Sequence, residues 1–189
     1  MKLHAGPALC GFFLLFTASA LADATKNCHI GSYRLKNGTA VDIAPSDGDT
    51  LRWRLFTGET GQLHPQKNGT WMSTYGWSKR PDGIAVSFFD CAKGEMGFVK
   101  QTGRRIAFDI HDTRFDSGGV KLVGRLVMPP GSQKVPVVVL VHGSEHDSAL
   151  DFYALQRMFP AQGIGAFAFD KRGTGASGGT YTQDFSTLA

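Results

Sequence analysis

The sequence lacks several features that would assign it to a class of protein directly. Its 20 Lys and Arg residues are scattered with no run of five or more, and the sequence also has 16 Asp and Glu residues. A net charge of +4 without a basic cluster argues against a nucleic-acid partner. Cysteine is also scarce, with three in 189 residues. No C-x-x-C motif or spaced His pair accompanies Cys28 and His29, so no metal site is predicted there.

Long apolar runs are scarce too, and the clearest one lies at the N-terminus. Lys2 precedes an apolar run over residues 8–16, and Ala20-Leu21-Ala22 fits the A-x-A cleavage pattern. The run is too short for a span of about 20 residues. We therefore predict a signal peptide over residues 1–22, cleaved after Ala22 or Ala24. The mature chain is expected to be secreted or periplasmic, without a membrane contact.

Signal cleavage leaves two of the three cysteines. Cys10 is removed, while Cys28 and Cys91 remain. In an oxidising compartment such a pair predicts a disulfide. It would close a loop of about 60 residues and stabilise the fold by about 4 kcal/mol in the chain-entropy model. Two free buried thiols are the alternative.

Residues 25–115 have the pattern of a small antiparallel β domain. Leu51, Trp53 and Leu55 alternate with arginines, and Asn37-Gly38 and Asn68-Gly69 are turn signals. No helical periodicity competes here, so we predict six to eight short strands in a sandwich or barrel-like sheet. The aromatic residues could fill the core or form a carbohydrate-binding platform; they are Trp53, Trp71, Tyr75, Trp77, Phe88 and Phe89.

The pattern changes at residue 116. Val135–Val141 is apolar on both faces, as in a strand covered by helices on both sides. Ser148 and Asp151 resemble a capping box that begins a helix, which Pro160 and Gly163 end. Another buried strand follows over residues 164–169. Strand, helix and strand in about 35 residues predict a βαβ crossover and a parallel sheet.

Two motifs in residues 116–189 resemble the N-terminal portion of the α/β-hydrolase superfamily. One strand ends in Val141-His142-Gly143-Ser144, and the next ends in Phe169-Asp170-Lys171-Arg172-Gly173-Thr174-Gly175-Ala176-Ser177. In combination they are most similar to the serine aminopeptidase and dienelactone-hydrolase-like branch. The resemblance implies a mostly parallel, doubly wound sheet, of which this chain contains the first part. The catalytic triad is then expected beyond Ala189, so the chain is expected to be a truncated, inactive copy.

The resemblance also implies roles for individual residues. The backbone N–H of Ser144, with that of Glu145 second, would be a donor to the oxyanion of an acyl-transfer reaction. Gly143 would allow a tight turn, and His142 would hydrogen-bond the loop backbone. Asp170 and Arg172 would brace the turn after their strand. No metal or organic cofactor is implied, because side chains and backbone perform this chemistry.

Two glycine-rich patterns overlap in this turn and are not interpreted as sites. Gly175-Ala176-Ser177-Gly178-Gly179 matches the nucleophile-elbow pattern G-x-S-x-G, but it neither directly follows the strand nor opens a helix. Gly173-x-Gly175-x-x-Gly178 matches a dinucleotide fingerprint, but Asp170-Lys171-Arg172 separates it from the strand and no acidic residue follows at the required distance.

Two functional hypotheses follow. The first is an exported serine hydrolase that cleaves a small ester or a short amide or peptide. The second is an exported β-rich module that binds a sugar or lipid, with an incidental hydrolase remnant. A structural accessory domain of an oligomer is a third reading, and the sequence predicts no oligomeric state.

Overall fold

The computed structural model describes residues 28–90, 92–131, 134–184 and 186. The predicted signal peptide and Cys91 lie outside these residues. Cys28 is disulfide-bonded, and its pairing with Cys91 stays a prediction. Among the described helices, none has both the length and the apolar character needed to cross a membrane.

The first half of the chain forms a closed antiparallel barrel. Its strands are β1 (Gly31–Leu35), β2 (Ala40–Pro45), β3 (Leu51–Leu55), β4 (Thr60–Pro65), β5 (Thr70–Tyr75), β6 (Pro81–Asp90), β7 (Glu95–Phe98) and β8 (Gln101–Arg105). Each strand pairs with the next one along the chain, and β1 pairs with β8 in the register Tyr33↔Arg105. This closure leaves the eight strands without an open edge.

The interior of the barrel is filled by side chains. An eight-stranded barrel is just wide enough for this. The buried cluster comprises Tyr33, Leu35, Val41, Ile43, Leu51, Trp53, Leu63, Trp71, Val86, Met96 and Phe98. The Trp53 indole N–H donates to Ser73 Oγ at 2.8 Å, and that hydroxyl donates to Asp82 at 2.7 Å. Gly61 permits this packing, because a Cβ there would lie 2.3 Å from Ser73 Oγ.

The second half of the chain forms a four-stranded sheet. Its strands are β9 (Asp109–Ser117), β10 (Val120–Met128), β11 (Val137–Leu140) and β12 (Gly165–Asp170), in the order β11-β12-β10-β9. Between β11 and β12 the chain forms α1 (Ala149–Phe152), α2 (Leu155–Met158) and a 3₁₀ turn (Pro160–Gln162). Strand β11 is an edge strand of the described sheet. Val137 and Val139 are exposed on it, and so is Val141, which follows it.

The prediction of a mostly parallel, doubly wound α/β sheet is wrong. The described chain is almost all β, and its larger sheet is the closed antiparallel barrel. In the second sheet only β11 and β12 are parallel, as the crossover predicted. The β9–β10 pair is antiparallel because Gly118 and Gly119 form a hairpin turn at positive φ that returns the chain beside itself. The β10–β12 pair is antiparallel as well. The β11–β12 crossover thus determines the direction of that one pair and not the direction of the other strand pairs in the sheet.

The single helix predicted to run from Ser148 to Pro160 is instead two short helices separated at Tyr153. Ser148 does cap α1, since its Oγ accepts the N–H of Asp151 at 3.2 Å. The break is stabilised by the buried side chain of Gln156. Its amide donates to the carbonyls of Ala149, Leu150 and Tyr153 at 3.2, 2.8 and 3.0 Å. The Ala149 carbonyl also accepts the backbone N–H of Tyr153. At Leu150 and Tyr153, the Gln156 amide replaces the backbone N–H groups that a continuous helix would supply.

A buried ion pair joins the barrel to the helical segment of the second sheet. Arg157 on α2 donates through Nε and one terminal nitrogen to both carboxylate oxygens of Asp42 on β2, at 2.8 and 2.9 Å. The side chains of Asp42 and Arg157 are 1% and 15% exposed. Ser32 also donates to Asp42 at 2.8 Å. Beside the pair, Ala44 packs against Met158.

We predict that Arg157→Ala lowers the free energy of unfolding by about 3 kcal/mol, because the buried Asp42 carboxylate loses both charged hydrogen bonds. Within the described residues it keeps the hydrogen bond from Ser32 and the charge of Arg54, which faces it across the β2–β3 pair. The matched control is Arg125→Ala. It removes a bidentate Arg–Asp pair with Asp112, whose side chains are 31% and 59% exposed, and is expected to cost under about 1 kcal/mol. Urea unfolding of both variants measures the difference. Equal losses would show that the Asp42 pair does not stabilise the fold.

Candidate functional site

The motif residues meet where the parallel strands β11 and β12 end. Parallel strands deliver the loops that follow them to the same edge of a sheet. The loop after β11 contains His142-Gly143-Ser144-Glu145, and the loop after β12 begins at Lys171. We call residues 142–145 the His-Gly loop.

Two side chains hold the carbonyls of the His-Gly loop. Lys171 Nζ donates to the carbonyl oxygen of Gly143, and Tyr181 Oη donates to that of Ser144. No described peptide bond is cis, and in a trans peptide the C=O and N–H point in opposite directions. The N–H groups of Ser144 and Glu145 therefore face away from Lys171 and Tyr181. Neither makes a hydrogen bond within the described part of the chain.

His142 links the two loops as a neutral acceptor. Its side chain is 1% exposed, and its Nε2 accepts the backbone N–H of Lys171 at 3.1 Å. Burial lowers the pKa of His142 below its usual value, and the nearby Lys171 ammonium lowers it further. Since Nε2 is the acceptor, the neutral ring carries its proton on Nδ1. The nearest carboxylate oxygen, that of Glu145, lies 3.9 Å from Nδ1.

The Glu145 carboxylate folds back over the loop. Its side chain is 55% exposed, and a Cβ on Gly143 would lie 3.1 Å from its Oε2. Gly143 is not among the glycines at positive φ, so its role here is to leave room rather than to adopt a left-handed turn. A ligand that approaches the free N–H groups therefore meets a carboxylate that solvent also reaches.

Asp170 ties the end of β12 to the start of α1. Its buried carboxylate accepts the Ser148 hydroxyl at 2.9 and 3.0 Å and the N–H of Leu150 at 3.3 Å. A Cβ on Gly175, which has φ 51°, would lie 1.9 Å from Asp170 Oδ2. Only glycine fits that position. Asp170 thus braces the helix start as well as the turn that follows its own strand.

The remaining motif residues close the turn after β12. A Cβ on Gly173, at φ 71°, would lie 2.0 Å from the backbone nitrogen of Tyr181. Arg172 reaches the β9–β10 turn, where it donates to the Gly118 carbonyl at 3.4 Å. Because position 173 is a glycine, the backbone of Tyr181 can pack against the turn, and this places Tyr181 beside the His-Gly loop.

Ser177 uses both hydrogen-bonding functions of its hydroxyl on the backbone. It donates to the carbonyl of Asp170 at 2.6 Å and accepts the N–H of Val123 at 2.8 Å. The serine thus fastens the turn to β10. Within the described residues no serine hydroxyl is hydrogen-bonded to a histidine ring, and no group of three His, Cys, Asp or Glu could hold a metal ion.

An apolar groove of about 750 Å³ adjoins the His-Gly loop. Its residues come from the β3–β4 turn of the barrel, from the loop after β11 and from the helical segment that follows. The main ones are Phe56, Val141, Phe152, Tyr153, Leu155 and Phe159. Val141 directly precedes the loop, and Tyr153 Oη accepts the N–H of Gly143 at 3.4 Å. Arg54 is the cation in this lining, and burial lowers its pKa.

Sequence reasoning missed Lys171, Tyr153 and Tyr181 as residues that shape the loop. Lys171 lies inside a recognised motif, so its position was visible although its reach to Gly143 was not. Tyr181 follows the glycine turn without a periodic or motif signal. Only the tertiary contact across that turn identifies it.

The lowered pKa of His142 predicts a pH dependence of stability. As pH falls through about 6.5, the unfolded chain takes up a proton that the folded His142 resists, so the free energy of unfolding decreases. Burial and the nearby Arg105 also lower the pKa of His29, so this residue too makes the free energy of unfolding decrease as the pH falls. We expect His142→Gln to make the free energy of unfolding depend less on pH between 7.5 and 5.5. The glutamine keeps an acceptor for the backbone N–H of Lys171, and the pH dependence that remains is the part due to His29. Urea unfolding at several pH values measures this. An unchanged slope would contradict it.

Comparisons with known proteins give little further assignment. No protein-family model matches the chain, and no curated protein matches it. Among solved structures, the chain is similar to a Pyrococcus horikoshii acylaminoacyl peptidase at 18% identity and a TM-score of 0.31. That match covers 77% of this chain and 27% of the peptidase chain. At this level the likeness carries no functional argument, and the chain spans about a quarter of that structure.

Proposed function

We propose that this chain is part of an exported serine hydrolase that cleaves an ester or a short amide or peptide bond. The observation that carries the proposal is the pair of free N–H groups of Ser144 and Glu145. Lys171 and Tyr181 hold the carbonyls of the same peptides, so the donors are oriented before a substrate arrives. Oriented donors of this kind stabilise the oxyanion of a tetrahedral intermediate without reorganising during the reaction.

The surroundings of the loop suit an acyl substrate. The apolar groove beside Val141 offers space for an acyl chain. The carboxylate of Glu145 has to swing into solvent before an oxyanion binds, and its 55% exposure permits that. The hydroxyl of Ser177 is committed to Asp170 and Val123, so in this proposal the nucleophile and its base come from outside the described residues.

A second candidate function is ligand binding by the barrel, and Trp77 favours it. The ring of Trp77 is 78% exposed, and the guanidinium of Arg52 lies 3.6 Å from its centroid on one face. Arg52 is itself fixed by a 2.6 Å bond to the Gly76 carbonyl. An indole held flat with its other face open suits stacking against a sugar ring. Trp53 and Trp71 instead belong to the core, so a ligand would bind outside the barrel.

The hydrolase proposal is tested first by sequencing the source DNA past the codon for Ala189 in all three frames. A helix, an apolar strand and G-x-S-x-G within roughly 80 codons would support it. A completed chain should then react with a fluorophosphonate, while the 189-residue chain should not. Labelling of the short chain at Ser177 would contradict our assignment of that serine, and a downstream sequence without the elbow would contradict the enzyme function.

The role of the loop backbone is tested in the completed chain by Ser144→Pro, which deletes one N–H, with Ser144→Ala as the matched control. We expect Ser144→Pro to lower kcat by about 10²–10³ and Ser144→Ala to have little effect. Thermal unfolding checks that both variants fold. Tyr181→Phe releases the Ser144 carbonyl without touching an N–H and should lower kcat less than Ser144→Pro. Equal activity of the proline and alanine variants would show that this N–H is not a donor.

Ligand binding at Trp77 predicts that a neutral oligosaccharide quenches tryptophan fluorescence of the full chain. Trp77→Leu should abolish the quenching, because Trp53 and Trp71 are buried in the barrel core. Tyr75→Leu is the control, because Tyr75 is a neighbouring exposed aromatic residue. Its arginine, Arg80, lies 5.1 Å from the ring centroid, whereas Arg52 lies 3.6 Å from that of Trp77. Quenching that survives Trp77→Leu would exclude this surface.

A further inference from the structure

Besides the apolar groove, a polar cavity lies on the outer face of the barrel. Its volume is about 380 Å³, and strands β1, β6, β7 and β8 supply its lining. The side chains that form the proposed site are Arg34 on β1, Lys36 directly after β1, Thr102 and Arg104 on β8, Glu95 on β7 and Phe89 on β6. We call this cavity the β1–β8 groove.

The cations of the β1–β8 groove outnumber its carboxylates. Arg104 is paired with Glu95 at 2.9 Å. Arg34 donates only to neutral carbonyls, those of Gly38 at 3.0 Å and of Ala161, and the ammonium of Lys36 has no partner within the described residues. Two positive charges in the groove are therefore uncompensated.

The strand register places like charges side by side. Arg34 and Arg104 are direct Cα partners across β1 and β8, and both side chains lie on the outer face. Like charges directly opposite in an antiparallel pair repel each other. A bound anion would remove that repulsion. The hydroxyl of Thr102, from the residue two positions before Arg104 on β8, adds a neutral donor.

Phe89 gives the groove an apolar wall. Its side chain is 62% exposed, and the Cζ and Cε2 atoms of its ring lie next to Gly97, where a Cβ would be 3.0 and 3.3 Å from them. Glycine at position 97 thus allows the edge of the ring to contact β7. The wall stands beside the charged groups, so a ligand with both a ring and an anionic group fits the two parts.

From these observations we propose that the β1–β8 groove binds a phosphomonoester that carries a planar or ring-shaped apolar group. Two uncompensated cations match the two negative charges of a phosphomonoester above its second pKa of about 6. Arginine donates in pairs to phosphate oxygens, and lysine acts on them as a point charge. Phe89 then contacts the ring. The site is independent of the His-Gly loop and of the proposed hydrolase activity.

The test is isothermal titration calorimetry of the full chain at pH 7.5 with phenyl phosphate, benzoate and inorganic phosphate. We expect phenyl phosphate to bind most tightly. Benzoate has the ring but one charge, and inorganic phosphate has the charge but no ring. Lys36→Gln should weaken phenyl phosphate binding by about tenfold, as the loss of a charge-assisted bond does. The matched control, Lys67→Gln, removes an exposed charge in the β4–β5 turn and should leave binding unchanged.

Phe89→Ala separates the two parts of the groove. It should weaken phenyl phosphate and leave the affinity for inorganic phosphate unchanged. All of these side chains are exposed, and thermal unfolding of the variants verifies the fold. The proposal is overturned if phenyl phosphate does not bind, if Lys36→Gln and Lys67→Gln act equally, or if benzoate binds as tightly as phenyl phosphate.

Discussion

The buried carboxylate of Asp170 is the constraint on which the second half of the structure depends. It accepts the hydroxyl of Ser148 and the N–H of Leu150, and so fixes where α1 begins. It also requires glycine at position 175, which sets the course of the following turn. Burying a carboxylate costs free energy unless it accepts hydrogen bonds, so we expect these contacts to form together when the chain folds. The turn then brings Tyr181 to the His-Gly loop.

The barrel contributes to the same site through a different electrostatic contact. The Asp42–Arg157 pair holds α2 against β2, and Phe56 on the β3–β4 turn stacks edge-on against Phe159 at 5.6 Å. The apolar groove lies between these surfaces. A pair this buried adds little net stability relative to apolar packing, but losing either partner is expensive. Its effect is therefore to fix the placement of the helices on the barrel, and through them the walls of the groove.

The sequence predicted local features better than their combination. Alternation in Leu51, Trp53 and Leu55 correctly indicated a strand, although Arg52 on its other face is buried too. Ser148 correctly indicated a helix start. The sheet failed because hydrophobic runs do not encode the direction of pairing beyond one crossover. The helix break was missed because a side-chain bond to a backbone carbonyl leaves no periodic signal in the sequence, and the amide of Gln156 makes three such bonds to carbonyls three to seven residues earlier. Lys171 and Tyr181 were missed for the same reason.

The position of β11 explains why side chains have to hold the His-Gly loop. In the described sheet β11 is bonded only to β12, so the backbone of its following loop receives support from one side. Exposed Val137 and Val139 show that packing adds little on that strand. Lys171 and Tyr181 supply the missing support, because each binds one loop carbonyl from the far side of the turn. Fixing the carbonyls fixes the N–H groups as well, since both belong to the same rigid peptides. An edge strand can thereby present two ordered donors.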